Sequence, residues 1–139
     1  MGRRRTLFAI WLATLAGCSG NGLATYPVEG RVKFPDGKPL QGGIVQFQPI
    51  GDQEGKISSR GRIQQDGTYR MSTFEAEDGT IAGEHRVLVV PPAPPGRADP
   101  WNLPKPVIHE RFRQYDTSNL KFTVTPDGPN KFEITVDPP

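Results

Sequence analysis

The 139-residue chain has one cysteine, two histidines and no helical repeat of apolar residues. A lone cysteine excludes an intrachain disulfide and a thiolate zinc site. Two histidines, His85 and His109, leave little for acid–base or metal chemistry, and neither stands in an H-x-x-E, H-E-x-x-H or H-x-H spacing. No G-x-S-x-G, P-loop or G-x-G-x-x-G occurs. The longest apolar run, residues 6–16, is too short to span a bilayer, which takes about 20 residues. Glycine (16) and proline (15) are plentiful instead, which suits short strands joined by turns.

The apolar run has its own reading. Arg3, Arg4 and Arg5 precede TLFAIWLATLA, and LAGC follows at residues 15–18. A basic stretch before a short apolar one is the pattern of a secretory signal. Leu, two small residues and Cys resemble the lipobox of bacterial lipoproteins. The resemblance implies cleavage between Gly17 and Cys18. It also implies a diacylglyceryl thioether on the Cys18 sulfur and an amide-linked acyl chain such as palmitate. Each buried methylene contributes ~0.8 kcal/mol, so more than one chain gives stable anchoring. The expected order is a signal peptide over residues 1–17, a flexible tether over 18–26 and one β-sandwich domain over 27–139. The tether would span roughly 16 Å and hold the domain close to a cell-envelope membrane, facing the periplasm or exterior. The lipid is then a partner through Cys18.

Cleavage changes the charge. The full chain carries 17 Lys+Arg against 15 Asp+Glu, and losing three arginines leaves 14 against 15. No basic excess remains to neutralise phosphates, so nucleic acid is excluded as a partner.

From residue 27 onward the apolar residues alternate. Val28, Val32 and Phe34 alternate with Glu29, Arg31 and Lys33; Val45 and Phe47 alternate with Gln46 and Gln48. EHRVLVV, residues 84–90, is the most apolar run and is expected to be central. Leu120, Phe122 and Val124 mark another strand, and Phe132, Ile134 and Val136 the last. Asp127-Gly128-Pro129-Asn130 is expected to join these two as a hairpin. In GRIQQDGTYRM a two-residue turn would split the apolar residues between faces. A three-residue loop, Gln65-Asp66-Gly67, pairs Ile63 with Tyr69 and Gly61 with Met71, and so gathers them on one face. Residues 91–106 hold seven prolines, which rules out a central strand and predicts a polyproline-like crossover. About seven strands result, the number of a Greek-key sandwich.

The residues also carry a family resemblance over about 27–137. It runs through Val28, Gly30 and Val32; DGKPL at 36–40; Gly43, Phe47 and Pro49; and DGTYRM at 66–71. It continues with Asp78, Gly79, Gly83, Glu84 and Val87, then Tyr115, Ser118, Leu120 and Val124. Together they resemble the carboxypeptidase-regulatory-like, transthyretin-like β-sandwich carried by many small bacterial lipoproteins. The resemblance implies a seven-stranded, prealbumin-like sandwich without catalytic activity or cofactor, in an accessory, adhesion or carbohydrate-contacting role. One enzymatic relative, a hydrolase of urate breakdown, ends in Tyr-Arg-Gly-Ser and uses paired histidines. This sequence ends Val-Asp-Pro-Pro, which argues against that activity.

Three clusters remain. Trp101, Phe112 and Tyr115 are the candidate ligand contacts, an aromatic platform for a glycan or an envelope protein. Glu75, Glu77 and Asp78 supply hard oxygens that suit calcium, but in no EF-hand spacing, and a solvated acidic turn is preferred. His85 alternates with Val87 and Val89, which predicts a buried structural histidine.

Overall fold

The computed structural model describes residues 22–96, 99 and 101–139. Gly17 and Cys18, with the signal peptide and the cleavage site, lie outside the described residues. Among the described residues no helix is long and apolar enough to cross a membrane.

The chain is all-β, in nine strands: β1 (Thr25–Tyr26), β2 (Val28–Lys33), β3 (Ile44–Pro49), β4 (Ser59–Arg62), β5 (Thr68–Arg70), β6 (Thr80–Ile81), β7 (Gly83–Val90), β8 (Leu120–Val124) and β9 (Asn130–Thr135). Two sheets carry the fold, one ordered β5-β2-β9 and one ordered β4-β3-β7-β8; β1 and β6 pair separately. All pairings are antiparallel except β2 with β9, which run parallel from Val28↔Asn130 to Lys33↔Thr135. The seven longer strands are those expected from alternation, and β7 is an inner strand as expected. The expected tether is cut short, because Thr25 and Tyr26 pair with Ile81 and Thr80.

Alternation decides which side chains meet between the sheets. Val28, Val32, Tyr69 and Ile134 from one sheet share a core with Val45, Phe47, Val87, Val89 and Val124 from the other, each at most 2% exposed. Burying a side chain of this size contributes about 1.5–3 kcal/mol. Phe122 of β8 stacks on Phe132 of β9 with ring centroids 4.5 Å apart. These two strands therefore face one another across the core. The expected β8–β9 hairpin is not formed, since β8 pairs with β7 and β9 with β2. Residues 125–129 instead cross between sheets, held by the Asn130 side chain. Its Oδ1 accepts from the Thr125 N–H at 2.9 Å and its Nδ2 donates to the Thr125 carbonyl at 2.9 Å.

The other predicted hairpin keeps its register. Gln64 N donates to Thr68 O at 2.8 Å, Gly67 N donates to Gln64 O at 3.0 Å, and Arg60 bridges Ser72. That is the three-residue loop, with Ile63 opposite Tyr69 and both buried. Gly67 adopts φ +82°, which a side chain would strain. The two arms nevertheless enter different sheets, so the turn ties one sheet edge to the other.

Tyr69 reaches beneath β2. Its hydroxyl donates to the Phe132 carbonyl on β9 at 2.9 Å. Gly30, paired with both residues, leaves the space: an added Cβ would sit 2.6 Å from the Tyr69 oxygen and 1.9 Å from the Phe132 carbonyl oxygen.

Candidate functional site

Strand directions define two ends of the sandwich. The chain enters β2 at Val28, beside Asn130, with Tyr26 against Thr80. β2 finishes at the other end, where Val32 N donates to Gly67 O and Ile63 N to Gly43 O, and where Ile44 lies opposite Val90. Residues 91–106 leave β7 from Val90 and so belong to this far end.

Prolines and polar turns keep that segment out of both sheets. At its tip the Asp99 side chain accepts from the Trp101 N–H at 2.9 Å, and the Asp99 carbonyl accepts from Asn102 N at 3.1 Å. This turn presents Trp101 with 95% of its surface exposed, and Leu103 with 78%. Beneath them a cleft of about 480 Å³ is lined by Pro91, Pro104, Pro106, Val107, Ile108 and Pro139 among others. The chain then turns back through a 3₁₀ turn, Glu110–Arg113, into a short helix, α1 (Tyr115–Ser118). His109 caps the turn, its Nδ1 accepting from Arg111 N at 3.2 Å. Solvent exposure of an indole and an isobutyl group on a turn fixed by backbone bonds is the arrangement of a recognition tip. An exposed aromatic contributes contact area at little cost in side-chain freedom.

The expected trio of aromatics is not assembled. Phe112 is 1% exposed and belongs to the core, with the Arg111 guanidinium 4.2 Å from its ring centroid. It offers no face to a ligand. Its place in a 3₁₀ turn laid over the sandwich turns the ring inward, which the local sequence does not reveal. Tyr115 is half-buried beside Arg86, whose guanidinium lies 5.9 Å from its ring. Burial pushes the Tyr115 hydroxyl above its ordinary value, against the pull of Arg60 and Arg86. Arg86 clamps the elements around it: it donates to Asp116 of α1 at 2.9 Å, to Gln48 of β3 at 3.0 Å, and to Glu54 of the loop before β4. Trp101 is therefore the one of the three exposed as a contact, and Leu103 joins it. Leu103 was legible as an apolar residue stranded between prolines.

The acidic cluster is a loop fastening. Asp78 accepts from the N–H of Thr73 at 2.6 Å, Phe74 at 3.0 Å and Glu75 at 3.1 Å, while Glu77 pairs with Arg70 at 3.2 Å. Among the described residues no three His, Cys, Asp or Glu side chains gather as a metal site. The outer face of the β5-β2-β9 sheet is lined with charges that satisfy one another, including Lys33 with Glu133 at 2.8 Å and Lys131 with Glu29 at 3.4 Å.

His85 is buried, as alternation predicts, and sits in a polar chain. Its Nδ1 lies 3.0 Å from the Gly83 carbonyl and its Nε2 3.4 Å from Thr80 Oγ1. Thr80 Oγ1 is 2.5 Å from Ser59 Oγ, which is 2.7 Å from Thr73 Oγ1; Thr73 Oγ1 donates to the Gly79 carbonyl at 2.6 Å. Desolvation lowers the His85 pKa, opposed by the bond to Gly83. Sequence reading missed Ser59 and Thr80. The signal was present in Ser59, a polar residue on the inward-facing phase of β4.

Compared with known proteins, the chain matches no family model, no curated protein and no solved structure.

Proposed function

We propose that this protein is a lipid-anchored module of the cell envelope that binds or braces a partner without catalysing a reaction. The reading joins the signal and lipobox pattern ending at Cys18 to the recognition tip at Trp101. The observation that carries it is the 95% exposure of Trp101, with Leu103, at the end of the sandwich opposite the chain's entry. An anchor at the entry end would leave that tip pointing away from the membrane, toward a partner in the envelope. Both histidines have structural hydrogen-bonding roles, His85 in the buried chain and His109 in the 3₁₀ cap. That supports a non-catalytic role.

The finer fold reading is a Greek-key, transthyretin-like sandwich. It is supported by seven longer strands divided three and four between facing sheets. An envelope protein is the favoured partner. The glycan alternative rests on Trp101 without Phe112, because a single exposed ring stacks one sugar face at most.

Membrane pull-downs with the wild-type chain and with Trp101→Ala and Leu103→Ser test the proposal. A protein partner captured by the wild type and lost with either variant supports it. Equal capture by all three chains sinks the tip as the binding surface. Retention on peptidoglycan or a glycan array, lost in Trp101→Ala, moves the assignment to carbohydrate.

A further inference from the structure

The buried chain at His85 can be counted proton by proton. Six groups lie in line: Gly83 O, the His85 ring, Thr80 Oγ1, Ser59 Oγ, Thr73 Oγ1 and Gly79 O. They make five contacts, and each contact needs one hydrogen. Both ends are carbonyl oxygens, which only accept. Three hydroxyls supply three hydrogens, and a neutral imidazole supplies one. Neither neutral tautomer fills the line. With the proton on Nδ1 one contact further along has no hydrogen. With the proton on Nε2 the bare Nδ1 faces the Gly83 carbonyl at 3.0 Å. An imidazolium supplies the fifth hydrogen: Nδ1–H to Gly83, Nε2–H to Thr80, and each hydroxyl to the next, ending at Gly79. The longest of the five contacts, 3.4 Å between Nε2 and Thr80, is the one a bare nitrogen leaves open.

We propose that this line is an acid-tightened clamp, in which a proton taken up by His85 completes the bonding between β7 and the loop that leads into β6. The clamp sits where the chain enters the domain, because β6 holds β1 through Thr25↔Ile81 and Tyr26↔Thr80. The groups around the ring impose no competing charge. Phe47 of β3 lies 5.8 Å from it, and its ladder partners are Pro49 and Phe122. Glu84 and Arg86 of β7, Arg60 of β4 and Lys121 of β8 take the alternate, outward phase of their strands. Asp78 is bonded into the same loop, but to backbone N–H groups.

The same count supplies the test. Removing the Thr73 hydroxyl deletes two contacts and one hydrogen, so a neutral His85 then satisfies what is left. Thr73 does not touch the ring. Ser59→Ala gives the same arithmetic from another position. The imidazole resonances of the two histidines are followed by NMR against pH in wild type, Thr73→Val and Ser59→Ala, with His109 as the internal reference. One hydrogen bond's difference lowers the His85 midpoint in both variants by about one pH unit, a tenfold loss of proton affinity. An unchanged or raised midpoint in a folded variant overturns the clamp. So does a wild-type ring that stays neutral until acid unfolds the protein.

Discussion

Replacing Gly30 with alanine adds one methyl group at the most crowded point between β2 and its neighbours. The Cβ would stand 1.9 Å from the Phe132 carbonyl oxygen. Even a weak C–H···O contact settles at about 3.3–3.6 Å, so the two backbones must part by about 1.4 Å. Parting them breaks the parallel ladder around Gly30↔Phe132 and the 2.9 Å bond from the Tyr69 hydroxyl. Two or three bonds left unmade in a buried place, at about 1–3 kcal/mol each, bring the loss to about 4 kcal/mol. A domain of this size holds about 5–15 kcal/mol in all. Urea unfolding followed by far-UV circular dichroism reads the change, since the exposed Trp101 is a poor reporter of folding. With a slope of about 2 kcal/mol per molar, the midpoint falls by about 2 M. A fall below about 0.5 M would refute the crowding argument. Tyr69→Phe alone is expected to cost about 1–1.5 kcal/mol, the worth of one hydrogen bond. The double variant should remain as weak as Gly30→Ala, because the carbonyl obstructs whether or not the phenol is there. Recovery in the double variant would show that the phenol, not the backbone, sets the limit.

Other outcomes follow from single sites. Asn130→Ala removes three side-chain contacts that brace residues 125–129 and reach Pro27. Thermal unfolding should show a loss of about 2 kcal/mol, and a change under about 0.5 kcal/mol would deny the brace. Trp101→Ala should leave the unfolding midpoint within about 0.5 kcal/mol of wild type, because an exposed side chain has little to lose on truncation. Acid should weaken the fold through His85: its folded pKa lies below its ordinary value, so the stability it supports is present above about pH 6.5 and is lost as pH falls below that. The clamp moderates this loss, so urea midpoints at acid pH should fall further in Thr73→Val than in wild type. Cys18→Ala should leave an unprocessed precursor, and maturation to the wild-type mass would remove the lipoprotein reading.

Period-two alternation names the face a residue occupies, and it did so for Val45, Phe47, His85, Val87 and Ile134. It does not name the neighbouring strand. Phe122 and Phe132 alternate in the same way whether their strands pair or face one another, and so the last hairpin was misjudged while the Gly67 loop was read correctly. There the turn chemistry and the apolar register had one common solution. Phe112 was misplaced for a related reason. Within a single turn of helix there is no period to read, and an aromatic beside prolines looks the same in sequence whether it points out, as Trp101 does, or in. The hydroxyls of Ser59, Thr73 and Thr80 come together only through tertiary folding, so nothing local announces them.

The parallel pairing of β2 with β9 joins the first long strand to the last across about a hundred residues of chain, as the Lys33–Glu133 bond illustrates with its separation of 100. A nascent chain therefore has β2 in hand from the beginning and no β9 to set beside it until residues 130–135 have emerged. Closing so distant a contact is slow, and the inner edge of the β5-β2-β9 sheet stays open in the meantime. A polypeptide that finishes its fold last of all at its own C-terminal strand remains threadable for the whole of its synthesis.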